Sequence, residues 1–371
     1  MKTILVLSPD TWGKMMLSKM HFAKELATEG NNVFFVNPPR KNSTFDTQQV
    51  ESNLTIVSLK ENPLRVFSRE KCRTLYRAIE KNYIRKIRKV TGEIDELWCF
   101  NAFFIADLKL FNAKKTLLFV YDLYAPENLQ EAAKQCDGIV SISQEILDRF
   151  KDANKPQLLI HHGLAPAFEQ MARSAGPERN TKGKIKIGYI GNLVRPGIDR
   201  KTFKKIISGH PEIEFHFWGP DGVVGNNLIT DSPSEEIRQF IDLLRNSYNV
   251  TLHGIKSPEE LSTEMTEMDA FLFLYDAQKD VNAGLNSHKL TEYLATGKVI
   301  FSPYVSRFAD TGLVVMDEKG GGDFSTFFSN RLKKIDEYNK PDLQQKRIHF
   351  ALENTYKKQI ERIRNWMNKL Y

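Results

Sequence analysis

The chain has 371 residues, 41 % of them hydrophobic and 27 % charged, a composition near the globular average that excludes disordered, collagen-like and coiled-coil classes. Its length suits two domains better than one. A total of 53 Lys and Arg against 46 Asp and Glu leaves a formal charge of +7, enough to favour an anionic partner without naming one.

The first apolar run, Ile4–Leu7, is ended at once by Ser8-Pro9-Asp10. It is shorter than the roughly 7–15 apolar residues of a signal peptide, and no run reaches the ~20 of a membrane span. These features predict a soluble, cytoplasmic protein, with contact at the inner face of the cell membrane left open. Short apolar runs predict further strands at Val33–Val36, Leu54–Val57, Leu97–Phe100, Thr116–Val120, Gly138–Ser141 and Gln157–Ile160. A helix is predicted over Lys14–Glu29, where Met16, Met20, Ala23 and Ala27 recur at helical spacing; His21 on it reads as a surface histidine. Cys72, Cys99 and Cys136 are too far apart for a CxxC pair or a disulfide framework and read as buried, inert thiols in a reducing compartment. The adjacent pair His161-His162 reads as structural or as cleft lining.

Polar residues from Gln170 to Lys184 carry no apolar periodicity and read as a linker. Strand signals resume at Ile185–Ile190, Ile213–Trp218, Val250–His253, Ala270–Tyr275, Val299–Ser302 and Leu313–Val315, with helices between them. The expectation is an α/β protein of two Rossmann-like domains, residues 1–169 and 185–350, joined by a linker at 170–184. Residues 351–371 form a C-terminal helix that packs back on the first domain. Open parallel sheets bind ligands beyond the carboxyl ends of their strands, so an interdomain cleft is where a ligand is expected.

Chemistry-bearing residues sit after those strands. Gly191 follows Ile185–Ile190 directly, with Arg195, Arg200 and Lys201 close behind; a glycine there admits a phosphate to backbone N–H groups at a helix start. Neither a dinucleotide fingerprint nor a P-loop is present. In Asn286–Gly297, Asn286 or Ser287 can cap a helix and Gly297 can close it. Lys289 then lies in the first turn and Glu292 three residues on, on the same face. A lysine there suits a diphosphate, and a carboxylate one turn deeper suits a ribose diol; an exposed ion pair is the bland alternative.

The segment KLTEYLATGKV (289–299) resembles the nucleotide-sugar signature of GT-B glycosyltransferases, and GYIG (188–191), HPEIEFHFWGP (210–220), VTLHGIKSPEEL (250–261), MDAFLFLY (268–275), Tyr121-Asp122 and HHGLAPAF (161–168) agree with it in order. The group is similar to teichuronic-acid-type and other bacterial surface-polysaccharide transferases (family-4-like). The resemblance implies a nucleotide-diphosphate sugar, UDP-linked, held mainly by the second domain, and a saccharide or lipid-linked saccharide acceptor held mainly by the first. By position, Glu292 would bind the ribose, Lys289 and Arg195 would neutralise the diphosphate, and Gly191 would permit its approach. Ser287 belongs to the same donor site, and the strand ends at Trp218-Gly219 and His253-Gly254 would line the base pocket. No metal or other cofactor is implied. One departure stands out: many retaining members carry a glutamate eight positions before the one matching Glu292, and here that residue is Gly284. Asp276, Asp280 and Asn282 are the neighbouring candidates to contact the donor sugar. For an inverting reaction the candidate bases are Asp122, Glu127 and Asp10, each after a first-domain strand or at the next helix start.

Residues Lys60 to Lys89 carry eleven Lys and Arg against Glu61, Glu70 and Glu80, a local excess of +8. With Leu75, Ile79, Tyr83, Ile84 and Ile87 interleaved, they predict an amphipathic helix whose cationic face suits an anionic membrane surface or is simply solvated. No zinc-finger spacing or aromatic RNA-binding motif accompanies it, so nucleic acid is not expected as a partner. The reading is a metal-independent glycosyltransferase of surface-polysaccharide biosynthesis. Its rivals are a nucleotide-sugar epimerase of the same fold and a catalytically silent binding or scaffold protein.

Overall fold

The computed structural model describes residues 1–13, 16–100, 102, 104–123, 128–174, 183–222, 234–276 and 278–369. In chain order these form β1 (Thr3–Leu7), α1 (Ser18–Thr28), β2 (Asn32–Val36), β3 (Asp46–Glu51), β4 (Leu54–Ser58), α2 (Leu64–Lys71), α3 (Arg73–Thr91), β5 (Glu96–Phe100), β6 (Lys115–Val120), α4 (Asn128–Gln135), β7 (Gly138–Ser141), α5 (Gln144–Leu147) and β8 (Gln157–Leu159). There follow α6 (Pro166–Ser174), β9 (Lys186–Ile190), α7 (Arg200–Gly209), β10 (Glu214–Trp218), α8 (Glu235–Asn246), β11 (Val250–Gly254), α9 (Pro258–Met265) and β12 (Ala270–Leu272). The chain ends with α10 (Val281–Leu285), α11 (His288–Ala295), β13 (Val299–Ser302), β14 (Val315–Met316), α12 (Phe324–Leu332), α13 (Ile335–Tyr338), α14 (Pro341–Leu352) and α15 (Tyr356–Met367). Two compact units result, Met1–His161 with Tyr356–Tyr371, and His162–Thr355. The division falls at His161/His162 and Thr355/Tyr356, not at 169/170 and 350/351. The expected linker is shorter too: Gln170–Ser174 completes α6, where Met171 and Ala172 are buried, while 175–182 lie outside the described residues.

The first unit is built on an eight-stranded sheet ordered β3-β4-β2-β1-β5-β6-β7-β8. Every pairing is parallel except β3 with β4. Ile4, Leu5 and Val6 in the middle of the sheet are fully buried, as strands covered on both faces require. β3, sequence DTQQVE, escaped the sequence reading because an edge strand has one neighbour and keeps polar side chains on its open side. α1 starts at Ser18, after Leu17 in an extended conformation, so Met16 and Leu17 of the expected Lys14–Glu29 helix lie before it, while 14–15 lie outside the described residues. His21 is half-buried, not fully exposed: its ring stacks on Tyr356 at 4.8 Å, and burial, then the Lys24 charge, push its pKa down to about 4. α15 thereby belongs to this unit, with Ile360 and Ile363 fully buried, Arg364 paired to Glu29 at 2.5 Å and Trp366 lying over the Cα of Gly138.

The basic stretch is two helices, not one. At Cys72 the backbone leaves the helical region (φ −149°, ψ 87°), which separates α2 from α3. Cys72 is exposed at this break, contrary to the expectation of burial, whereas Cys99 and Cys136 are buried and burial pushes both thiols up to about 12. Tyr76, Ile79, Tyr83, Ile84 and Ile87 form the buried face of α3, together with Glu80.

The second unit holds a six-stranded sheet ordered β11-β10-β9-β12-β13-β14, parallel throughout. Phe203, Phe215, Phe217, Phe240 and Phe328 anchor the core on one of its faces. β12 stops at Leu272 although Phe273–Tyr275 stay buried, and β14 begins two residues later than the apolar run Leu313–Val315 suggests.

Candidate functional site

In the second unit the strand order turns back at β9. β10 and β11 lie to one side of it, and β12, β13 and β14 to the other. A crevice opens outside the carboxyl ends of strands at such a switch point, here β9 and β12. Backbone hydrogen bonds fix the loops there: Gly191 N–H donates to the Trp218 carbonyl at 2.8 Å, Gly219 N–H to Gly254 at 2.8 Å, Leu193 N–H to Pro220 at 2.9 Å and Asp276 N–H to Gly197 at 2.9 Å. The contact between the first two loops is so close that a Cβ on Gly219 (φ +131°) would overlap the Gly191 carbonyl. Only glycine fits there.

Arg200 shapes the rest of the loop after β9. It is buried, and its guanidinium donates to the carbonyls of Arg195 at 2.5 Å and Leu193 at 3.3 Å. It therefore holds the loop from inside and is not presented to a phosphate, as its place at the helix start had suggested.

α11 carries the other half of the site. Its buried Tyr293 accepts a hydrogen bond from Ile190 N–H at 2.7 Å and stacks on Phe271 at 4.5 Å, which pins the helix to the end of β9. Ser287 occupies the N-cap position, yet its side chain makes no capping bond, so the expected cap is not formed. Gly297 ends the helix at φ +75°. An α-helix leaves its first four N–H groups without helical partners and carries positive potential at that end.

Lys289 in the first turn lies against Gly191: a Cβ added to the glycine would stand 2.8 Å from the lysine Nζ and 2.9 Å from the Tyr189 hydroxyl. The ammonium sits 5.6 Å from the Tyr189 ring centroid. Burial, then the Arg195 charge, lower the Lys289 pKa to about 8, against the opposing pull of Glu292 and Asp280. Burial raises Glu292 to about 7, against the pull of Lys289. Both groups are held partly out of water, so an ion pair on an open helix face does not describe them. Burial thus disfavours the charged form of both groups while each favours the charge of the other.

Arg195 is half-exposed and paired with the buried Asp280 at 2.7 Å. The Asp280 carboxylate also accepts from Ala283 N–H at 3.1 Å, capping α10. It thus steadies Arg195 and a helix start at once. Asp280→Ala is expected to lower the stability of the second unit by about 1–3 kcal/mol, from a lost cap and an unpaired arginine, and Asp280→Asn by less; equal thermal melts for the two variants would contradict this. Asp276 lies 3.4 Å from Lys279, and Asn282 is half-buried in α10. Gly284 faces Tyr275: a Cβ there would stand 2.8 Å from the tyrosine hydroxyl, which donates to the Tyr304 carbonyl. The position departing from the resemblance is therefore one where this fold admits no larger side chain unless Tyr275 moves.

Other predicted residues are placed differently. The Trp218 side chain is 1 % exposed, its indole N–H donates to Glu264 at 2.6 Å, and its ring stacks on His253 at 4.7 Å. Only its backbone is available to line a pocket. His253 is 2.9 Å from His216 and takes part in the same stack, while Gly254 turns the chain at φ +69°. In the first unit Asp10, after β1, is ion-paired with Lys19, and Asp122, after β6, is exposed. Glu127 lies outside the described residues. Sequence reasoning missed Tyr189, Tyr275 and Tyr293 and gave Arg200 the wrong role, since a tyrosine or arginine that fixes a loop carries no spacing signal of its own. Among the described residues no group of three or more His, Cys, Asp or Glu could hold a metal ion, and no helix is long and apolar enough to cross a membrane.

No protein-family model matches the chain, and no curated protein matches it by sequence. Solved structures do match it in fold over their whole length. The chain is similar to sucrose-phosphate synthase from Thermosynechococcus elongatus, with 12 % identity, a TM-score of 0.66 and 100 % of each chain covered. It is similar to Anabaena HepE in complex with UDP and glucose, with 12 % identity, a TM-score of 0.64, and 98 % of this chain and 100 % of that one covered. It is also similar to the E. coli trehalose-6-phosphate structure bound with UDP-2-fluoro glucose, with 10 % identity, a TM-score of 0.70, and 99 % and 98 % covered. The fold is thus the GT-B type, two Rossmann-like domains in one chain.

Proposed function

We propose that the chain is a glycosyltransferase moving a sugar from a nucleotide-diphosphate donor, UDP-linked, to a saccharide acceptor. The observation that carries this reading is Lys289, held against Gly191 at the uncapped start of α11 with Glu292 one turn deeper. The structural relatives crystallised with UDP and glucose or with UDP-2-fluoro glucose support it. In this reading Gly191 and Gly219 let the diphosphate approach the backbone. Lys289, Arg195 and the N–H groups of α11 balance the charge that grows as the sugar departs, and Glu292 accepts hydrogen bonds from the ribose. Such preorganised charge is worth most in a half-dry site because it need not reorganise during the reaction. Glycosyl transfer then needs no metal for that purpose. Asp122, exposed after β6, is the proposed base for the acceptor hydroxyl. The finer assignment is a family-4-like, teichuronic-acid-type enzyme that acts at the cytoplasmic side of the membrane on a saccharide or lipid-linked saccharide of a surface polysaccharide.

The test is nucleotide release from a panel of nucleotide-diphosphate sugars, with and without saccharide acceptors. Acceptor-dependent release of UDP is the expected result. Conversion of the donor alone into a different nucleotide sugar would replace this reading with an epimerase, and tight UDP binding with neither reaction would replace it with a scaffold.

A further inference from the structure

We propose that α2 and the outward face of α3 form a docking surface for an anionic lipid bilayer, an assignment independent of what the second unit binds. Apart from Met1, the exposed large apolar side chains of the first unit among the described residues are Phe45, Leu64 and Phe67. All three are at these helices. Leu64 is 52 % and Phe67 59 % exposed, one turn apart on α2, with exposed Lys71 a further turn along. Phe45 lies under Lys86 of α3, whose ammonium is 5.8 Å from the ring. Among the described side chains of α2, the polar Ser68 is buried and its hydroxyl donates to the Arg65 carbonyl. The apolar Leu64 and Phe67 face solvent, the reverse of the pattern in a helix made only to cover a core.

Charge completes the surface. Lys71, Lys81, Arg85, Lys86, Arg88 and Lys89 are all exposed, and among the described residues none has a carboxylate within 4.0 Å. Arg73 and Arg77, by contrast, share Glu131 at 2.9 and 3.0 Å. Along α3, Arg73, Arg77 and Lys81 edge a shallow hollow of about 370 Å³, and Lys81, Arg85 and Arg88 edge a second of about 220 Å³. Exposed cations on α3 with no carboxylate partner among the described residues, together with the exposed apolar Leu64 and Phe67 of the preceding helix, match a membrane interface, where headgroup phosphates meet the cations and acyl chains take the apolar groups. A protein partner would need a packed apolar patch, whereas here the apolar residues stand singly among charges.

Vesicle co-sedimentation of the full chain, with phosphatidylcholine alone and mixed with phosphatidylglycerol, tests this. The wild type is expected to pellet with the anionic vesicles only and to be released as salt rises. Leu64→Ser with Phe67→Ser should weaken that partition by about tenfold or more, and Lys81→Glu with Arg85→Glu should weaken it and flatten its salt dependence. Circular dichroism melts should stay those of the wild type. Equal partition of the wild type onto neutral and anionic vesicles would overturn the proposal, as would wild-type partition of the Leu64/Phe67 variant. A dimer in sedimentation velocity that is lost with Phe67→Ser, without vesicle binding, would reassign the face to a second copy of the chain.

Discussion

Gly219→Ala is expected to be the most disruptive single-methyl change in the second unit, lowering its melting temperature by roughly 6–12 °C and abolishing UDP binding. The added Cβ would overlap the Gly191 carbonyl oxygen and lie 2.7 Å from its carbon. Neither neighbour can swing away, because both are backbone and both are fixed: Gly191 N–H to Trp218, and Gly219 N–H to Gly254. At φ +131° an alanine is also strained whatever the space. Together these effects cost about 3 kcal/mol or more. Since the same contact sets the path of Gly191, over which Lys289 lies, the loss of stability and the loss of binding should come together. Calorimetric unfolding with and without UDP measures both, and an alanine variant that melts and binds as the wild type would contradict the described geometry.

Lys289→Ala is expected to weaken UDP binding by roughly 30–150-fold, about 2–3 kcal/mol, as a charge-assisted contact to a diphosphate is lost. The pH dependence has a definite sign. Burial and the Arg195 charge lower Lys289 to about 8; a diphosphate bound there as proposed would take its protonated form, so affinity should fall as pH rises through about 8, with proton uptake on binding there. Burial raises Glu292 to about 7; if it accepts from a ribose as proposed, it does so best when ionised, so affinity should also fall below about 7. The optimum lies between these values. Stability of the unliganded protein moves the other way. The folded pKa of Glu292 is raised, so its contribution is present below the unfolded value and lost as pH rises through 7. That of Lys289 is depressed, so stability lost to its buried charge is regained as pH rises above 8. Near pH 7.5 both charges are held at a cost, and Lys289→Met should melt above the wild type while no longer responding to UDP. A site kept strained for its ligand behaves in this way.

The sequence carried most of the architecture because most central strands (β1, β5, β6, β7, β12 and β13) are buried on both faces and therefore read as short apolar runs. β3 was invisible because it is a polar edge. The single basic helix was misread because nothing in its composition marks the backbone break at Cys72, and helical periodicity passes through one distorted residue almost unchanged. Loop composition at Gln170–Ser174 hid a helix whose Met171 and Ala172 are buried, since two apolar residues are too few to show a period. Within the candidate site, the nearness of Lys289 to Gly191, Arg195 and Glu292 agrees with their positions after strands and at a helix start. The residues that hold them were not legible in the sequence. Tyr293 fixing α11 to Ile190, Arg200 gripping the loop from below and Asp280 pairing Arg195 depend on contacts 5 to 103 residues apart, which spacing along the chain does not reveal. Trp218 shows the opposite failure: it sits at a strand end as predicted, but its indole is turned into the stack with His253 and tied to Glu264.

The central claim is that Lys289 meets the diphosphate of a nucleotide and Glu292 its ribose. Isothermal titration of UDP and UMP into the wild type, Lys289→Ala and Glu292→Ala tests it most directly. The account predicts that Lys289→Ala loses much more affinity for UDP than for UMP, whereas Glu292→Ala loses about equally for both, because both nucleotides carry the ribose. Wild-type affinity for UDP in either variant, or an equal loss on UDP and UMP when Lys289 is removed, would contradict it.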